Sequence, residues 1–303
     1  MRPDPGGRLP SAGPRKALKD ALRRVTPAGL AVRWAGRRRR FGDDDIERAR
    51  LAMEAIVAHT PRAGEVEELA MAWLREQAVL EELLWRPWLL PKRRWTGTEH
   101  RDEALADGRG VIFSYLHRGP FHSVDGILGE ETWRVVGITG DWMHDAPQDG
   151  LWARRVAIIR RSIIRSGAGM VRASESMPVV LRLLEKGTPV VMAFDMPGKH
   201  RMTWLGKPVE ISNASARLAW RTGATIVPYW TEHEGASHTG RFGAPLRPED
   251  FSSADELQAA LGAAHEPAVL AAPEMMEDVR RPGAWEDGAG PDGWFRPQRG
   301  GST

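Results

Sequence analysis

The chain has 303 residues, of which 42% are hydrophobic and 27% charged. That is enough apolar content for one or two folded domains and too much for global disorder. Without cysteine, disulfides, cysteine-ligated metal clusters and a cysteine nucleophile are excluded, and the longest apolar runs fall short of the ~18 residues a spanning helix needs. The formal charge of +3 hides an asymmetry: residues 1–40 carry a net +10 and the remainder a net −7.

Residues 1–14, rich in Pro and Gly, are expected to be a flexible lead. They lack the apolar region of a secretory signal, so none is expected. Residues 15–25 read as a short helix, with Leu18, Ala21, Leu22 and Val25 as one stripe beside Arg15, Lys16, Lys19, Arg23 and Arg24. Pro27 and Gly29 end it, and Trp34 precedes four arginines, Arg37 to Arg40. A polybasic arm with an apolar stripe suits an anionic membrane surface; a solvated basic tail is the plainer reading. No zinc-finger, helix–turn–helix or RNA motif accompanies the arm, so nucleic acid is not an expected partner.

Asp43, Asp44 and Asp45 open the next helix, where carboxylates suit the helix dipole. Ile46, Ala49, Met53, Ile56 and Val57 form its apolar stripe. Val66, Leu69, Trp73, Leu80, Leu83 and Leu84 give a second such face, so a helical hairpin is expected.

From Gly110 short apolar runs alternate with helical segments. Strands are predicted at 111–116, 134–139, 169–172, 189–194 and 224–229. Helices are predicted at 121–129, 151–166, 174–186 and 213–222, and further C-terminal helices at 246–264 and 267–280. Alternation of this kind predicts an α/β fold with a mostly parallel central sheet flanked by helices, carrying the N-terminal helical hairpin. The expected organisation is a basic, partly flexible arm at 1–42, a single domain at 43–281 and a loose tail at 282–303.

Chemistry in such folds gathers beyond the C-terminal ends of strands. The first predicted strand ends in Ser114-Tyr115-Leu116-His117-Arg118-Gly119-Pro120-Phe121-His122-Ser123-Val124-Asp125. His117 at the strand end is a candidate general base, and His122 or Asp125 could fix its tautomer. Metal-ligand spacing is absent, so no metal is expected.

His117-Arg-Gly-Pro-Phe-His122 resembles the His-x-x-x-x-Asp/Glu motif of the lysophospholipid acyltransferase superfamily, in particular its lipid A lauroyl/myristoyl branch. Gly119 falls on that branch's glycine, Phe121 on its aromatic and His122 on its acidic position. Val190-Val191-Met192-Ala193-Phe194-Asp195-Met196-Pro197-Gly198-Lys199 is similar to the branch's strand-plus-Asp loop. Trp204-Leu205-Gly206-Lys207-Pro208 resembles its Phe-x-Gly-x-Pro segment. Leu218-Ala219-Trp220-Arg221-Thr222-Gly223-Ala224-Thr225-Ile226-Val227-Pro228 resembles its Leu-Ala-x-Arg-Thr-Gly-Ala-x-x-x-Pro signature. The likeness spans about residues 110–230.

The resemblance implies transfer of a fatty acyl chain from acyl-CoA or acyl carrier protein to a hydroxyl of a lipid, glycolipid or related acceptor, with His117 as base and no cofactor. The basic arm and the lack of a spanning run point to peripheral attachment on the inner, cytoplasmic face of the cytoplasmic membrane. His122 departs from the pattern, since neutral imidazole cannot stabilise an imidazolium as a carboxylate does. Three alternatives follow: Asp125 supplies that charge directly or through His122, a more distant carboxylate such as Asp195 or Asp141 does, or the chain is a catalytically impaired lipid- or carrier-binding protein on the same fold.

Gly119 joins the candidate substrate-binding residues. Arg161 and Arg165, four apart on one predicted helix face, could hold phosphates of a donor or acceptor; a solvated helix face is the plainer reading. Lys199 and Lys207, with His200 and Arg201, could face anionic headgroups. Asp195 before Met-Pro-Gly also suits an ordinary loop. Trp204, Trp220 and Trp230 could line an acyl tunnel or fill core; core is the plainer reading.

Overall fold

The computed structural model describes residues 18, 21–23, 25–37, 40–86, 94–121, 135–145, 150–165 and 168–277. Three helices come first: α1 (Ala28–Gly36), α2 (Asp43–Val57) and α3 (Val66–Leu84). The three aspartates occupy the first turn of α2, where they complement the positive end of the helix dipole. Its Ala49, Ala52, Met53, Ile56 and Val57 face inward, and Leu69, Ala70, Trp73 and Leu74 of α3 join the same core. Val32 and Ala35 of α1 pack on Val79 and Leu83 of α3.

β1 (Arg94–Thr96), α4 (Thr98–Ala106), β2 (Val111–Tyr115), β3 (Val136–Thr139), α5 (Gly150–Arg165), β4 (Gly169–Arg172), α6 (Ser176–Glu185) and β5 (Val190–Ala193) follow. A hairpin of β6 (Pro197–Trp204) and β7 (Lys207–Ile211) leads to α7 (Ala214–Thr222). The chain then forms β8 (Thr225–Glu234), β9 (Ser237–Phe242) and α8 (Ala254–Ala271). The seven-stranded sheet runs β1-β9-β8-β2-β5-β3-β4, parallel except for β8 against β9.

Successive strand residues point to opposite faces, and the central strands are apolar on both. Ile112 and Leu116, Val190 and Met192, and Ile226 face the core built by α2, α3, α6, α7 and α8. Val111, Phe113, Val191, Val227 and Tyr229 face a second core that includes Ala104 of α4 and Ile159 and Ile163 of α5. Near-continuous apolar runs are the signature of such doubly covered parallel strands.

The expected fold class is the observed one, with differences in detail. α1, which starts after Pro27 and runs through the expected stop at Gly29, is not expected, nor are β1, α4, the β6–β7 hairpin and β9. The C-terminal region holds one long helix, not two. Ser253 caps its start by accepting from Glu256 N–H at 3.2 Å, and α8 continues through Pro267 to Ala271. Pro267 costs a backbone hydrogen bond, but Leu257, Leu261, His265, Ala268 and Val269 bury the helix on both sides of it. Residues 246–253 instead hold a short 3-10 turn, Pro248–Asp250. The expected lead at 1–14, most of the helices at 15–25 and 121–129, and the tail at 282–303 lie outside the described residues.

Candidate active site

The parallel register builds the site. Tyr115 at the end of β2 pairs with Ala193 at the end of β5. The pairing continues one step, since Phe194 N–H donates to the Tyr115 carbonyl at 2.7 Å. Two residues beyond each paired position, His117 therefore faces Asp195 across 78 positions of sequence.

Asp195 holds His117 twice. One carboxylate oxygen accepts the His117 backbone N–H at 2.9 Å, and the other lies 2.8 Å from ring Nδ1. A carboxylate can only accept, so the contact selects the tautomer with its proton on Nδ1 and its lone pair on Nε2. The Asp195 side chain is 2% exposed and that of His117 13%, a setting in which hydrogen bonds to a charged group strengthen.

Burial works against charge on the His117 ring. The charge of Asp195, its hydrogen bond and the charge of Glu277 outweigh that effect, so the imidazole pKa lies above its ordinary 6.5. Aromatic rings line the same place. Tyr115 lies 5.3 Å from the imidazole and Phe121 lies 4.7 Å away, edge-on. Tyr115 also packs on Phe121 and Tyr229. Burial, with Tyr229, Asp195 and Glu277, pushes the Tyr115 phenol well above its usual range, so it stays a neutral hydroxyl.

The loop after His117 is fixed on two sides. Arg118 is 1% exposed; its guanidinium donates to the Thr231 carbonyl at 2.8 Å, and its own carbonyl accepts from the Thr231 hydroxyl at 2.6 Å. Gly119 has φ +58°, and a Cβ there would stand 2.6 Å from the Thr231 carbonyl oxygen. Only glycine fits such a left-handed backbone against that neighbour.

The other candidate residues fall elsewhere. His122 and Asp125 lie outside the described residues. Asp141 sits beyond β3, accepts from Ser174 N–H at 3.2 Å and belongs to a surface group with Asp145 and Arg172; it is not the partner of His117. Arg161 lies half-buried on α5, and only the backbone of Arg165 is described. Lys199 is exposed on β6, and Lys207, half-buried on β7, pairs with Trp204. Acids meet part of this basic cluster: Arg201 reaches Glu210 at 2.9 Å and His200 reaches Asp255 at 3.6 Å.

Trp204 is core, as expected, with its indole N–H on the Gly262 carbonyl at 3.1 Å. Trp220 is a correction: it is 43% exposed, on the outer face of α7, while Ala216 and Ala219 face the core. Sequence reading passed over Tyr115 and Glu277. Tyr115 could have been found as the residue two before the histidine on the strand; Glu277 carries no local signal, because 160 positions separate it from His117.

Among the described residues there is no cluster of His, Asp and Glu able to hold a metal ion and no helix long and apolar enough to cross a membrane. Comparisons with protein families and with curated proteins give no match. A comparison with solved structures finds the 1-acyl-sn-glycerophosphate (LPA) acyltransferase PlsC from Thermotoga maritima, 15% identical, with a TM-score of 0.39 over 75% of this chain and 95% of that one. At that distance the likeness does not define the chemistry at His117, which rests on the side chains themselves: a buried carboxylate orienting an imidazole at the carboxyl end of a parallel sheet.

Proposed function

We propose that the chain transfers a fatty acyl group from the thioester of acyl-CoA or acyl carrier protein to a hydroxyl of a lipid, glycolipid or related acceptor. The observation that carries this reading is the double hold of Asp195 on His117. Nε2 of His117 takes the proton of the acceptor hydroxyl, and Asp195 stabilises the imidazolium. The acceptor oxygen attacks the thioester carbonyl and forms the ester bond as the carbon–sulfur bond breaks. The carrier leaves as a thiol, protonated from Nε2–H, and His117 returns to its starting state.

No covalent enzyme intermediate is needed. The chain has no cysteine, and Ser114, the serine of β2, turns its hydroxyl to His265 at 3.4 Å. Tyr115 and Phe121 give the imidazole an apolar flank suited to an alkyl chain. The sequence motifs over residues 110–230 point to the same reaction. Asp195 takes the place that the resemblance assigns to the acid at position 122. Phosphate contacts by Arg161 and Arg165, and headgroup contacts by Lys199 and Lys207, belong to the same proposal.

The test is acyl transfer from medium- and long-chain acyl-CoA and acyl carrier protein to lysophospholipid and glycolipid acceptors. His117→Ala is expected to lower kcat by about 10²–10⁴-fold with the fold intact by circular dichroism. Full activity in that variant would remove His117 as the base; no transfer by the wild-type chain to any of these acceptors would leave the non-catalytic binding reading.

Within this reading the enzyme works on the anionic inner face of the cytoplasmic membrane. Leu18, Leu22, Val25, Leu30 and Trp34 are all exposed, Trp34 at 80%, in a segment where basic residues dominate. The inner face of α1 is meanwhile occupied by α3. Exposed apolar side chains among cations bind anionic bilayers by insertion plus charge. Vesicles of phosphatidylglycerol and phosphatidylcholine are expected to retain the chain, less so at high salt, and L30S/W34S to weaken retention. Equal binding to purely neutral vesicles would refute this placement.

A further inference from the structure

The end of the described chain runs back to the active site. After α8 a 3-10 turn, Pro273–Met275, leads to Met276 and Glu277. Two main-chain hydrogen bonds, which together make one antiparallel bridge between Arg118 and Met276, tie this segment to the His117 loop. Gly119 N–H donates to the Met275 carbonyl at 2.8 Å, and Glu277 N–H donates to the His117 carbonyl at 2.6 Å.

The same segment is held from behind. The Met276 carbonyl accepts from the Trp73 indole at 3.0 Å and from the Gln77 amide at 3.0 Å. Both donors sit one helical turn apart on α3, so their side chains meet at one point. Two donors use both lone pairs of that carbonyl and fix the peptide plane. Met276 is 1% exposed and Trp73 3%.

We propose that residues 273–277 form a strap that positions His117, anchored by Trp73 and Gln77 of the N-terminal hairpin and ending in Glu277 as a second carboxylate for the imidazole. Asp195 fixes the ring from the β5 side, and the strap fixes the backbone that carries it. Among the described residues, the charged and titratable groups that act on the imidazole are Asp195 from the β5 loop and Glu277 from the strap, with Tyr115 of β2 beside it. Glu277 adds negative charge without taking the Nδ1 position. Trp73, Gln77 and Glu277 are positioning residues, for each acts through His117.

The catalytic part of this inference rests on the proposed acyl transfer; the structural part does not. The experiment therefore reads both. The full chain is labelled with ¹⁵N-histidine, and the His117 ring signals, assigned by their loss in His117→Ala, are followed from acid to alkaline pH. In Glu277→Gln the His117 titration midpoint is expected to move to lower pH with the Nδ1–H tautomer retained, and the acidic limb of the acyl-transfer rate to move with it. In the double variant Trp73→Phe, Gln77→Leu the dominance of that tautomer is expected to fall. There kcat drops by up to about 10²-fold, the cost of misplacing a catalytic group, while KM stays within about twofold.

An unmoved midpoint in Glu277→Gln overturns the role of its charge. An unchanged tautomer and kcat in the double variant overturn the strap. Should the double variant fail to fold, Gln77→Leu alone keeps the Trp73 packing and reads the same change at smaller size. If the variants show these ring shifts while the wild-type chain shows no acyl transfer, the enzymatic proposal is refuted and the strap stands.

Discussion

His117 lies in the loop beyond β2, and His265 lies in the middle of α8. Burial disfavours the charged form of both rings. At His117, Asp195 stands 2.8 Å from Nδ1 and the pKa rises. At His265 the ring is fully buried beside Phe194, 5.1 Å between centroids, with the Ser114 hydroxyl 3.4 Å from Nε2. Its Nδ1 has no hydrogen-bond partner among the described residues. Burial outweighs the opposing charge of Asp195 there, and the pKa falls to about 4. A carboxylate in contact with the ring separates a histidine that can accept a proton from one that is held neutral.

Acyl transfer should break the comparison most sharply. The loss of about 10²–10⁴-fold expected for His117→Ala should have no counterpart in His265→Leu, where kcat should stay within about threefold. A comparable loss in both would place the base elsewhere.

Asp195→Asn should make His117 behave more like His265. The ring loses its anionic partner while burial remains, so its pKa falls. The acidic limb of the rate profile, set by protonation of the base, should move to lower pH. At its new plateau kcat should be reduced by about 10²-fold or more, because an amide neither fixes the tautomer nor stabilises an imidazolium. A limb that stays in place would show that the carboxylate does not govern the base.

The smallest effect concerns stability. The folded pKa of His265 lies below its unfolded value, so the unfolded chain binds the extra proton between about pH 6.5 and pH 4. The stabilising contribution of neutral His265 is complete above that window and is lost as pH falls through it. A shift of this size corresponds to about 3 kcal/mol at most. His265→Leu should flatten the loss of stability between pH 6.5 and pH 4 in urea titrations; an unchanged slope would contradict the depressed pKa. His117 has the opposite sign. Its raised pKa gives a contribution fully present below about pH 6.5 that fades as pH rises through the folded pKa.

Much of the architecture is legible in the sequence. The strand at 169–172 matches β4 residue for residue, and the runs at 111–116 and 189–194 match β2 and β5 to within a residue at each end. These strands are apolar on both faces, and their composition carries the signal. β9, Ser237–Phe242, has no such run; it is a strand because it pairs with β8. β6 alternates exposed Lys199, Arg201 and Thr203 with half-buried neighbours, and its charges obscure the period of two. α4 buries only Ala104, so no apolar stripe marks it. Pro267 is a strong local stop signal that tertiary burial overrode.

The site divides in the same way. A histidine at a strand end and an aspartate at another are local facts, and the sequence by itself determined both, together with the alternating pattern that makes the strands parallel neighbours. Which carboxylate meets the imidazole was a question of strand order and register, since β2 and β5 are adjacent only after β3, α5, β4 and α6 have intervened. Residues in contact across a sheet share no spacing rule along the chain. The pairing of Tyr115 with Ala193, and so of His117 with Asp195, was decided by the packing of the whole domain.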